Sequence, residues 1–112
     1  MDRKRAVGSR GSWFAEVEGE TLPCVHRHWW AAGGRYDDPG LQPGTPKGDE
    51  LVAAIAACKR VILTDDKATF DEGGRVAGFE RTGYIAVYSV DRVEYDNAGL
   101  RFKFVKRLSE LE

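Results

Sequence analysis

Tyr84-Ile85-Ala86-Val87-Tyr88-Ser89-Val90, followed by Asp96-Asn97-Ala98-Gly99 and then Leu100-Arg101-Phe102-Lys103-Phe104, sets the fold class of this chain. The first stretch is a nearly continuous apolar run rich in β-branched and aromatic residues, as in a strand covered on both faces. Asp91 to Tyr95 continue it beyond a bend, and Asp96 to Gly99 supply turn chemistry. The chain then returns as a strand over Leu100–Leu108, with Leu100, Phe102, Phe104 and Leu108 expected on one face and Arg101, Lys103, Val105 and Arg107 on the other.

Working back from this hairpin, Leu51, Val52, Ala54, Ile55 and Cys58 recur at three- and four-residue spacing, which predicts one principal helix over about residues 49–60 with Asp49 near its start. Val61-Ile62-Leu63-Thr64 follows at once as a buried strand, stopped by Asp65 and Asp66. Lys67 to Thr82 carries Gly73, Gly74 and Gly78 and reads as a short strand or a loop. Upstream, Trp13, Ala15 and Val17 alternate with Glu16 and Glu18, and Gly19 permits a hairpin turn into a strand within Thr21–Trp30, where Pro23 must sit at an edge. Ala31 to Lys47 holds three of the four prolines and reads as a long irregular loop. These elements predict an α+β fold: a small, mostly antiparallel β-sheet or partly open barrel packed against one helix.

With 112 residues the chain has room for a single domain and one core, expected over residues 12–110 behind a flexible basic tail at 1–11. The closing Leu111-Glu112 has the form of a cloning scar and is given no structural weight. Seventeen basic and eighteen acidic residues nearly cancel, so the whole-chain field exerts no strong pull on nucleic acid or membrane. Two cysteines, Cys24 and Cys58, argue against a secreted disulfide framework. No apolar run approaches a membrane span, and a soluble, cytoplasmic protein is expected. The sequence leaves the oligomeric state open.

Three groups of residues carry chemistry. Trp29, Trp30 and Tyr36 lie close to Arg27 and Arg35, and aromatic faces beside guanidinium groups suit the stacking of a base and the holding of a phosphate. Trp29 and Trp30 are adjacent and must point in opposite directions on a strand, so one is expected at a surface or in a cleft. Cys24, His26 and His28 alternate and would share one strand face, where they could ligate a transition metal such as zinc with Asp37 or Asp38 as a fourth ligand. Packing of Cys24 in the core is the simpler alternative. Arg101, Lys103, Lys106 and Arg107 form a basic stripe, better read as a solvated face than as a phosphate track.

Lys59-Arg60-Val61-Ile62-Leu63-Thr64, then Gly83-Tyr84-Ile85-Ala86-Val87-Tyr88-Ser89-Val90-Asp91-Arg92-Val93 with its V-x-x-V bend, then Leu100-Arg101-Phe102-Lys103-Phe104, together resemble the PUA-like group of small barrels, which includes the ASCH and EVE domains. The likeness covers about half of the chain. It implies binding of RNA or a modified base in a cleft beside the barrel. The expected function is a noncatalytic domain that binds nucleic acid or a nucleotide-like small molecule without a cofactor. The alternatives are a small metal-dependent enzyme built on Cys24, His26 and His28, and a protein interaction module.

Overall fold

The computed structural model describes residues 3–9 and 13–111. In chain order the elements are β1 (Arg3–Lys4), β2 (Ala6–Ser9), β3 (Phe14–Val17), β4 (Glu20–His26), a 3-10 turn (Arg27–Trp29), β5 (Trp30–Ala31), β6 (Arg35–Asp38), α1 (Pro46–Cys58), β7 (Arg60–Phe70), β8 (Val76–Asp96) and β9 (Gly99–Leu111). The strands form one curled, half-barrel sheet in the order β2-β3-β4-β7-β8-β9-β6-β5, with β1 beside β9. All pairings are antiparallel except β4 with β7 and β1 with β9.

The helix begins earlier than its apolar stripe suggests. Pro46 occupies the first turn, where its fixed φ suits a helix and its missing N–H costs nothing, so α1 starts three residues before Asp49. Lys59 ends it in the left-handed conformation at φ 53°, donating its N–H to the Ile55 carbonyl at 2.8 Å. Leu51, Val52 and Ile55 are buried in the same cluster as Phe14, Val25, Val61, Leu63, Val90 and Phe102.

A second buried cluster of Ala15, Val17, Leu22, Cys24, Ile62, Val87 and Leu111 replaces the single core expected. Residues 61, 62 and 63 alternate between the two clusters, so β7 is covered on both faces, which is why it reads as an unbroken apolar run. The described residues of the expected N-terminal tail form β1 and β2, where Ala6 joins the second cluster and pairs with Val17. Leu111 is buried there too and pairs with Lys4.

Pro23 sits where β4 passes from β3, which it pairs through Pro23, to β7, which it pairs from Cys24 onward. Cys24 N–H bonds the Trp13 carbonyl, so the proline nitrogen faces away from β3 at a point where β7 pairing has not begun. Far from ending at Asp65, β7 runs to Phe70 through register shifts at Leu63/Thr64, Asp65/Asp66 and Thr69/Phe70, with Asp66–Phe70 pairing Val76–Arg81 of β8. Shifts between Ser89 and Val90 and between Val87 and Tyr88 leave Leu108 37% exposed and put Ser109 and Leu111 inside instead. Gly99 has φ 113°, and a Cβ there would stand 2.2 Å from the Asp38 carbonyl oxygen. Only glycine lets the β8–β9 turn press against the end of β6.

Candidate functional site

A half-open cavity of about 750 Å³ lies between β4 and β6, which do not pair, with Leu51 of α1, Arg75 and Val76–Phe79 of β8 completing its walls. Its aromatic residues are Trp13, Trp29, Tyr36 and Phe79, and its ionisable residues are Cys24, His26, Asp38, Asp66, Arg75 and Arg81.

Asp66 anchors the polar side. It follows a register shift at Asp65/Asp66 and shares the face of buried Thr64, and only 1% of its side chain is exposed. His26 Nδ1 donates to Asp66 Oδ2 at 2.7 Å, the Thr64 hydroxyl lies between that carboxylate and the Val25 carbonyl, and Arg81 Nε stands 3.5 Å from Oδ1. Burial alone would raise the Asp66 carboxyl, but the bonds from His26 and Thr64 and the charges of His26 and Arg81 outweigh it and hold it below its ordinary value. An ionised carboxylate only accepts, so the imidazole proton resides on Nδ1, and Nε2 has no partner among the described residues. Phe79 stacks on the His26 ring with centroids 4.2 Å apart and planes 15° from parallel.

Asp38 is the second carboxylate, 9% exposed. Its Oδ1 accepts the Gly40 N–H at 3.0 Å, and it forms no ion pair among the described residues. Burial raises its carboxyl, which the Gly40 bond only partly offsets. Tyr36 is buried beside it, stacked on Phe102 at 4.7 Å, with its hydroxyl accepting the His26 backbone N–H at 3.4 Å. Burial and the nearby Asp38 charge push the Tyr36 phenol well above its usual range, so it stays neutral. Burial likewise raises the Cys24 thiol to about 11, with partial relief from the Arg81 guanidinium 4.0 Å away, which leaves it a poor nucleophile.

The five residues expected to share one cleft separate into two groups. Trp29 and Tyr36 line the cavity just described, whereas Arg27 and Trp30 line a second cavity of about 630 Å³ with Leu63, Ile85 and Arg107. Arg35 lines neither. Trp30 is 39% exposed and lies flat on Phe104, centroids 4.2 Å apart. The two tryptophans do diverge, because the 3-10 turn ends at Trp29 and β5 begins at Trp30. That same turn removes His28 from the strand face shared by Cys24 and His26, and His28 instead meets Trp29 and Phe79 edge-on. Among the described residues no group of three or more His, Cys, Asp or Glu side chains is placed to hold a metal ion. Asp37, the other carboxylate considered for that role, is exposed on the opposite face of β6.

On the basic strand, Arg101 pairs with Glu94 at 3.3 Å and Asp96 at 2.8 Å, and Arg107 pairs with Glu110 at 2.5 Å, while Lys103 and Lys106 are exposed and form no ion pair among the described residues. Sequence reasoning missed Asp66, Phe79 and Arg81. Asp66 reads as a strand stop, and Phe79 and Arg81 lie in the glycine-rich segment, although their i, i+2 spacing places both on one strand face. No family model matches this chain. No curated protein and no solved structure is significantly similar to it either. Among the described residues, no helix is long and apolar enough to cross a membrane.

Proposed function

We propose that this protein is a noncatalytic binding domain whose larger cavity holds a planar heterocycle of nucleobase type, free or carried by an RNA. The observation that carries this reading is the combination of four aromatic walls with polar groups fixed among them: the His26–Asp66–Arg81 cluster on one side and Asp38 on the other. Flat apolar walls reward stacking, and a few preset donors and acceptors select the edge of the ring. Arg75 is exposed at the same cavity and has no ion pair among the described residues, so a ribose phosphate leaving the pocket would meet a guanidinium. With Arg101 and Arg107 both paired, β9 keeps only Lys103 and Lys106 for phosphates, which favours a nucleoside or a short segment over a long phosphate track. The PUA-like likeness is part of this proposal, and a curled half-barrel sheet with one helix is compatible with it. Two free cysteines are in keeping with a reducing, cytoplasmic setting.

Titration of the intrinsic tryptophan fluorescence with a panel of nucleosides and short single-stranded RNAs tests the reading. Saturable quenching by at least one nucleobase-bearing ligand, weakened about tenfold or more by Phe79→Ala, is expected, since base–aromatic stacking is worth about 1–3 kcal/mol. Absence of binding across the panel at low salt refutes it.

A further inference from the structure

The two carboxylates of the larger cavity are not equivalent. Asp66 is saturated by the Thr64 hydroxyl, the His26 imidazole and the Arg81 guanidinium. Asp38 faces the same space, held by the backbone N–H of Gly40 and to a lesser degree that of Leu41, and forms no ion pair among the described residues. Arg81 cannot serve it, being turned to Asp66 and lying over the Tyr84 ring, 5.3 Å from its centroid. The cavity therefore combines a nearly buried carboxylate, which His26 influences only at a distance and no cation pairs with among the described residues, with the rings of Trp13, Trp29, Tyr36 and Phe79. Aromatic faces attract cations through the ring quadrupole, and a buried carboxylate gains most from a partner that brings its own positive charge into a desolvated site.

We propose that the pocket selects a positively charged heterocycle, one whose ring nitrogen is alkylated, over the neutral parent ring, with Asp38 as the residue that sets the preference. This rests on the heterocycle-binding reading above and names its ligand class. A neutral base would stack equally well but would leave the Asp38 charge unmatched. An alkylated cationic base supplies that charge and adds a cation–π contribution at each wall it touches.

The test compares two pairs near neutral pH by isothermal titration calorimetry: 1-methyladenosine against adenosine, and 3-methylcytidine against cytidine. In each pair the methylated member carries the positive charge. The methylated member is expected to bind about tenfold or more tightly in at least one pair. Asp38→Asn, shown to be folded by its thermal transition, is expected to bring that ratio down to about one. Equal affinities within both pairs overturn the charge preference while leaving the heterocycle reading in place, and a preference that survives Asp38→Asn overturns the role of Asp38. If none of the four nucleosides binds, while the fluorescence panel finds another ligand, the charge preference alone fails; if that panel is empty too, both fall.

Discussion

Replacing Asp66 by alanine removes a carboxylate that ties β7 to His26 of β4 and Arg81 of β8 beside the cavity. The Thr64 hydroxyl can still donate to the Val25 carbonyl at 3.1 Å, so its loss is small. His26 and Arg81 lose their carboxylate. Breaking a buried charged pair by deleting one member costs about 3–5 kcal/mol, but the side chains of His26 and Arg81 are 26% and 17% exposed and can be partly rehydrated. A loss of about 2–3 kcal/mol follows, and at about 4 °C per kcal/mol for a chain of this size the melting temperature should fall by roughly 8–12 °C. Asp66→Asn keeps the shape and one acceptor, so about half of that loss is expected.

The pH dependence gives an independent check. The folded-state carboxyl lies below its ordinary value, so its stabilisation is fully present above about pH 4 and is lost as the pH falls through the lower, folded-state value. Urea denaturation of the native protein and Asp66→Asn should therefore show a stability gap that is constant from neutral pH down to about pH 4 and narrows below it. A loss under about 0.5 kcal/mol for Asp66→Ala, or a gap that does not change in acid, would refute the claim that this cluster holds the cavity wall.

Other expectations follow from local geometry. Lys59→Gly relieves a left-handed residue at the helix end and should stabilise the fold by about 0.5–1 kcal/mol in urea denaturation. Gly99→Ala forces a Cβ onto the Asp38 carbonyl at a positive φ and should cost more than about 2 kcal/mol, seen as a lowered melting temperature. In mass-spectrometric labelling with iodoacetamide at neutral pH, Cys58 should react before Cys24, because Cys24 is buried and its thiol is raised to about 11; faster labelling of Cys24 would contradict its placement.

Much of the fold was legible because its causes are local. The apolar run at 84–90, the turn at 96–99 and the helical stripe from Leu51 to Cys58 each follow from near neighbours. The candidate site was not, because its parts meet across long separations. Asp66 has the look of a strand stop until β4 brings His26 alongside β7, and nothing near residue 66 announces that. Phe79 is hidden among glycines, although pairing with Ala68 makes it a wall of the pocket. The expected cleft of Arg27, Trp29, Trp30, Arg35 and Tyr36 relied on nearness in sequence, whereas the 3-10 turn sends neighbouring side chains to different cavities. Leu108 went astray for a similar reason: two irregular steps in the ladder, at Ser89/Val90 and Val87/Tyr88, break the simple alternation of faces between Phe104 and Ser109.

The parallel contact between β4 and β7 carries a consequence for the order of folding. Helix α1 and the β8–β9 hairpin can form from neighbouring residues, but Cys24 finds Ile62 only after the whole segment between them has been gathered in. Such distant pairings form slowly and late. The hollow between β4 and β6 is therefore expected to be among the last features completed on refolding, so that the time course of ligand-induced fluorescence change would lag behind the recovery of helical circular dichroism.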